Sequence, residues 1–255
     1  MRRVHARRTV GHAHRVLHVA LELAVKNGIV SRNVCSVHRP PRVEQVEIEI
    51  LTGAQIAEVR AKLAGHVLLP IVEIALATGM RRGEILGLQW GDVNLDAGTL
   101  RVERSVEETR QGLRLKAPKS KRGRRNITLS SSAITVLKEH RRAQLQTRIA
   151  IGLGKPHDEA PVFSTIEGEL LSPDNLSRDW GRARRRFGLP AVSFHALRHT
   201  HASILLRSGT DVLTVSRRLG HGKPSVTLDT YGHLIEGADA AAAEAIEKAL
   251  KSRRG

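Results

Sequence analysis

Only six of the 255 side chains are aromatic (three Phe, two Trp, one Tyr), while 40% of the chain is apolar. A core for this length of chain must therefore be filled by Leu, Val, Ile and Ala, residues that packed helices use well, which favours a mainly helical fold. The spacing of those residues agrees. Thr52 is placed to cap a helix over 52–63, helical spacing continues over 67–77, and after the Thr78-Gly79 break a further helix covers 82–88. The period then changes to two. Leu100, Val102 and Val106, then Leu113 and Leu115, then Ile127 and Leu129 alternate with polar residues, with turns at Asp96-Ala97-Gly98, Gln111-Gly112 and Gly123. That pattern predicts a three-stranded antiparallel sheet. Helical spacing resumes over 130–148, 173–187, 195–208, 211–219 and, rich in Ala, 236–251. The expected class is mainly α with a small three-stranded antiparallel sheet, an α+β chain without internal repeats.

Residues 1–42 stand apart. They hold nine Lys/Arg against one acid, Glu22, and Val16, Leu17, Ala20, Leu21, Ala24 and Val25 recur at helical spacing before Gly28. Pro40-Pro41 and the acidic run from Glu44 to Glu49 read as a linker over 43–49. A single helix cannot bury its own apolar face, so 1–42 is expected to be the remnant of a helical domain or a segment that packs on something else. The main body then spans 50–235, with a C-terminal helix over 236–255.

The formal charge of +17 far exceeds what solubility requires and attracts polyanions by phosphate neutralisation and counterion release. Nucleic acid is the first partner to consider, ahead of a ribosomal or membrane-surface role. A lone cysteine, Cys35, excludes an intrachain disulfide, so a reducing, cytoplasmic setting is expected. No uncharged run approaches the roughly 20 residues of a membrane span.

Three distant segments place reactive groups where local structure would expose them. Thr78-Gly79-Met80-Arg81-Arg82-Gly83-Glu84 puts Arg81 at a helix start, where a guanidinium beside free N–H groups can hold a phosphate; Glu84 would brace an Arg or cap the turn. His195-Ala196-Leu197-Arg198-His199-Thr200 puts His195 and Arg198 on one helix face, with Leu197 towards the core. Leu219-Gly220-His221 precedes the chain's one tyrosine, Tyr231, by a short helix. In so aromatic-poor a chain that ring could fill a core, but Asp229, Thr230, Gly232 and His233 around it fit a reachable hydroxyl better.

In that order, ALATG with TGMRRGE, HALRHT, LGH and DTYGH resemble the tyrosine recombinase, or phage integrase, family over roughly residues 50–235. Each motif is weak alone; four in sequence over that distance are specific. The resemblance implies a site of two arginines, a lysine, two histidines and a tyrosine. Matched residue by residue, these are Arg81, Arg198, His195, His221 and Tyr231, with the lysine in the run 116–122. Lys119 fits best, because Pro-Lys-Ser-Lys is similar to the family's Pro-Lys-Thr-Lys, and Lys121 stands as the alternative. Lys116, Lys121, Arg122, Arg124 and Arg125 are expected as DNA-backbone contacts or a solvated edge.

The resemblance further implies that Tyr231 attacks a phosphodiester to give a 3′-phosphotyrosine and a free 5′-hydroxyl. A phenol of ordinary pKa near 10 needs a base or strong positive charge, for which the histidines and arginines are suited, and the lysine would protonate the leaving oxygen. No cofactor is called for. Gly220-His221-Gly222-Lys223-Pro224-Ser225 lacks the pattern of a phosphate loop, and His195 and His199, spaced as zinc ligands can be, enclose Ala196 where a zinc hydrolase would carry Glu, so no metal is expected. Expected partners are double-stranded DNA, a tetramer of the chain itself on paired sites and accessory DNA-bending proteins, with no membrane. The chain departs from the family where a whole core-binding domain would precede the catalytic one: 16–35 is similar only to its last helix and exit loop, with Asn33-Val34 where members often carry Asn-Pro. The start is therefore read as a truncation, a misassigned initiation codon or a decayed gene, and a DNA-binding fragment that does not cut is the alternative function. The 236–255 helix is expected to pack on a neighbouring protomer or on its own core.

Overall fold

The computed structural model describes residues 2–41, 48–118, 123–232, 246–247 and 250–251, and divides into two compact units, Met1–Ile48 and Glu49–Gly255. In the first, α1 (Arg2–Lys26) starts well before the 16–25 stretch that apolar spacing marks. Its N-terminal half is too polar to show a periodic signal, yet holds no residue worse for a helix than Gly11. Asn33 folds the following turn back: its amide donates to His18 O (3.0 Å) and Glu22 Oε1 (2.8 Å), while its Oδ1 accepts from Cys35 N (3.0 Å).

The second unit opens with α2 (Gly53–Lys62), started by a reciprocal cap in which Thr52 Oγ1 accepts from Gln55 N and Gln55 Oε1 accepts from Thr52 N. Next come α3 (Leu69–Thr78) and the short α4 (Arg82–Leu86). The strands are β1 (Val93–Asn94), β2 (Thr99–Val102), β3 (Ser105–Thr109), β4 (Gly112–Lys116) and β5 (Arg125–Thr128). The helices α5 (Ser131–Ala150), α6 (Pro173–Phe187), α7 (Ala196–Arg207), α8 (Val212–Leu219) and α9 (Pro224–Tyr231) follow. Ser130, Ser172 and Asp211 each accept a backbone N–H with the side chain at the starts of α5, α6 and α8.

A three-stranded antiparallel sheet is present, but its membership differs from the expected one. It is β1-β2-β5, with Leu100 opposite Ile127, and the segment carrying Leu113 and Leu115 instead pairs with β3 as a separate hairpin, Val106 opposite Leu115. Alternation identifies a strand without choosing its partner; the tight turn at Gln111-Gly112 makes β3 and β4 neighbours, and β2 reaches past them to β5. The core is aliphatic, as the composition requires: α3 buries Ile71, Val72, Ile74 and Ala75 and packs on α5 and α7, and Trp180 seals α6 by donating Nε1–H to Val192 O (2.9 Å). Among the described residues, no helix is long and apolar enough to cross a membrane. The expected C-terminal helix falls outside the described residues, apart from helical backbone at 246–247 and 250–251.

Candidate active site

α3 ends where Gly79 turns left-handed (φ 64°), and a Cβ there would lie 2.6 Å from His201 Cδ2 and 2.8 Å from Leu219 Cδ2. Only glycine lets α3, α7 and α8 converge this closely. Two residues on, extended Arg81 opens α4, and Glu84 performs both roles its position suggests: its carboxylate accepts from Arg81 N (3.0 Å) and from Arg81 Nη1 (2.8 Å). The same guanidinium reaches Gly220 O at the end of α8 (3.3 Å).

Arg198, one turn into α7, is 3% exposed and held by two carbonyls, Gly79 O (2.7 Å) and Leu219 O (2.9 Å). Burial, and then the Arg81 charge, pull its pKa down to about 9, so it remains a cation at neutral pH. Leu197 beside it is fully buried, as expected. Arg81, Arg125 and Arg198 thus gather around one carboxylate, Glu84, and leave an excess of positive charge that suits an anion.

His195, an exposed residue at the start of α7, packs its ring edge-on against His199 at 4.7 Å between centroids. Partial burial of its ring against His199, then the cations Arg198, Arg81 and Arg82, lower its pKa. His221 follows Gly220, whose left-handed backbone ends α8, and its Nδ1 lies 2.8 Å from Thr227 Oγ1. Burial, then the arginines, push its pKa to about 4, so it too is neutral at pH 7.

Tyr231 corrects one expectation. It is 1% exposed, not reachable, because α9 packs on α8 and turns its last residue inward. Burial raises the phenol pKa to about 12. His199, which sequence reasoning weighs only as a zinc ligand, brings its Nδ1 within 2.6 Å of the Tyr231 hydroxyl. With burial holding His199 near pKa 4, the imidazole is neutral and the protonated phenol must be the donor. The signal in the sequence is the helical register: His199 follows His195 by four residues and so shares its face of α7, with the tyrosine 32 positions away.

Arg125 corrects another. Expected as a DNA-backbone contact or a solvated edge, it has a side chain 7% exposed and a guanidinium that makes four hydrogen bonds: Nη2 and Nη1 donate to the two Glu84 oxygens (2.8 and 3.3 Å), Nη1 also to Gly123 O (3.0 Å), and Nε to Arg218 O (2.6 Å). Lys116 and Arg124 are surface residues paired with Glu107 (3.0 Å) and Glu103 (3.4 Å). Lys119, Lys121 and Arg122 lie outside the described residues. Among the described residues a cavity of about 790 Å³ runs between α5, α6 and the segment before α3, lined by Leu69, Leu113, His140 and Leu170, and it contains none of the candidate residues.

The chain is 31% identical to a tyrosine recombinase XerC-like protein of Caldanaerobacter subterraneus subsp. tengcongensis, a match covering 89% of this chain and 63% of that protein. It is 27% identical to the integrase of Mycobacterium phage L5, covering 94% of the chain and 63% of the relative, so it spans less than two thirds of the length of these proteins. Its fold matches that of a Tn1549 transposon integrase in complex with transposon right end DNA, with a TM-score of 0.80 and 21% identity over 95% of this chain and 79% of that one. A lambda integrase tetramer bound to a Holliday junction matches with a TM-score of 0.58 and 21% identity, covering 84% of this chain and 58% of that one. The phage integrase family model accounts for residues 43–237, the stretch that carries every motif described above, and the chain belongs to that family.

Proposed function

We propose that the chain cleaves and rejoins double-stranded DNA through a covalent 3′-phosphotyrosine on Tyr231, as a site-specific recombinase. The observation that carries this reading is the hydroxyl of the chain's only tyrosine, hydrogen-bonded to a neutral imidazole beside a guanidinium cluster. In this reading Tyr231 Oη attacks the phosphorus, the 5′-bridging oxygen leaves, and Lys119 (or Lys121) supplies its proton. Arg81 and Arg198 stabilise charge on the non-bridging oxygens, with His195 and His221 donating beside them. His199 takes the phenol proton. Burial first, and neighbouring charge after it, holds His199 and His221 near pKa 4; an entering phosphodiester offsets the arginine part, so their basicity rises as the proton must move. Because the phenol is buried, a phosphodiester reaches it only once α9 shifts.

Two catalytic events on each of two duplexes imply four copies on paired sites, so the assembly proposed is a tetramer on DNA. Lys116 and Arg124 lie at the surface on β4 and beside β5 and are proposed as backbone contacts. The test is a nicked suicide duplex taken from the DNA flanking the gene. The wild type should give a protein–DNA band that survives SDS, and Tyr231→Phe should not. Salt-sensitive binding with no band from the wild type would instead mark a DNA-binding fragment.

A further inference from the structure

Behind the candidate site lies a second layer of arginine contacts that touches no reacting atom. Arg125 Nε holds the Arg218 carbonyl, two residues before Gly220-His221; its Nη atoms hold Glu84, the carboxylate that clamps Arg81; and Nη1 also holds Gly123 O, where the chain returns from the 119–122 lysine segment. Arg218 extends the layer, donating Nε–H to His201 Nε2 (3.1 Å) and Nη2 to Ala77 O (3.0 Å) and Thr128 O (3.1 Å). These acceptors sit on α7, at the end of α3 and at the end of β5.

We propose that Arg125 is a positioning residue: one planar guanidinium on β5 fixes, relative to one another, the segments that carry Arg81 and His221. The proposal rests on the recombinase reading for its catalytic consequence, and on geometry alone for its structural one. These two segments are remote in sequence, and Arg125 bonds directly to both, through the Glu84 carboxylate and the Arg218 carbonyl; its bond to Gly123 O is a local one within its own strand approach. A buried ion pair adds little net stability over apolar filling, so what the Arg125–Glu84 pair contributes is the fixed geometry of its fork. Lysine would keep the charge and lose the fork.

Arg125→Lys is the informative variant, because it leaves Glu84 a cation and so preserves the fold; Arg125→Met removes both charge and fork. In the free proteins, Arg125→Lys should speed hydrogen exchange at the Arg81, Gly220 and His221 amides and leave α5 unchanged. On the nicked duplex it should bind as tightly as the wild type and cleave about 10²-fold more slowly, the usual consequence of a misplacement near 1 Å. Arg125→Met should cleave more slowly still. Unchanged exchange at those three amides overturns the proposal, as does a parallel loss of binding and cleavage. Failure of the wild type to form an adduct would count against the recombinase reading, and the exchange pattern by itself would still uphold or overturn the placement.

Discussion

Replacing His199 by alanine removes the acceptor of a hydroxyl that has almost no contact with water. A buried O–H left without a partner costs about 1–3 kcal/mol, and among the described residues His199 is the partner this phenol has. The chemical consequence should be larger. If His199 takes the phenol proton as the phosphate is attacked, its loss lowers the cleavage rate by about 10²–10⁴-fold, the usual worth of a positioned base. His199→Asn separates the two effects, since its Oδ1 can stand near the Nδ1 position and accept the hydrogen bond but cannot take the proton. Single-turnover cleavage of the suicide duplex, with denaturant melts alongside, should find His199→Asn close to the wild type in stability and close to His199→Ala in rate. Wild-type cleavage by His199→Asn would refute proton transfer to this histidine, leaving it an orienting role only.

Other consequences follow from the same contacts. His201, 6% exposed, has its pKa pushed to about 4 by burial and, less strongly, by Arg218, against 6.5 unfolded. The unfolded chain binds the extra proton between these values, so this contribution is complete above about pH 6.5 and is lost as pH falls towards 4, a change of order 3 kcal/mol that His201→Gln should flatten in melts across that range. Glu84→Gln should cost about 3–5 kcal/mol, because it leaves the buried Arg125 cation without its counterion; a midpoint within error of the wild type would show that this cation does not need the Glu84 charge. Gly79→Ala should cost about 2–4 kcal/mol from its left-handed backbone and the collision with His201 and Leu219, read as a lowered Tm. Ultraviolet titration of the single tyrosine should show a midpoint near 12 in the folded protein, falling towards 10 on unfolding; a folded midpoint near 10 would contradict the buried, hydrogen-bonded phenol.

Most of the helical frame is legible in the sequence because local signals decide it. Thr52 caps where its side chain predicts, and α6 occupies the expected 173–187. Strand partners are not legible. The Leu113/Leu115 alternation is as compatible with β2 as with β3, and pairing is settled by turn geometry and the faces left to bury. The motifs bring Arg81, His195, Arg198 and His221 into view, and the structure ties Arg198 to Gly79 O and Leu219 O and Arg81 to the adjoining Gly220 O. Arg125 and His199 escape sequence reading for one shared reason. A charged residue in a basic run reads as surface, and a histidine four residues from another reads as a ligand pair. What decides each is a remote partner that only the fold brings to it: Glu84, 41 residues from Arg125, and Tyr231, 32 residues from His199. Tyr231 itself reads as exposed from its polar neighbours, whereas α9 turns it inward between them.

The proposed reaction turns on one bond, between Tyr231 Oη and a DNA 3′-phosphate. Incubating the protein with the nicked duplex, trimming the trapped DNA with nuclease and mapping the residual nucleotide by peptide mass spectrometry locates that bond directly. Phosphotyrosine chemistry requires a phosphate-linked nucleotide on Tyr231 and none after Tyr231→Phe. A nucleotide carried by any other side chain, or an adduct that persists in Tyr231→Phe, would contradict it.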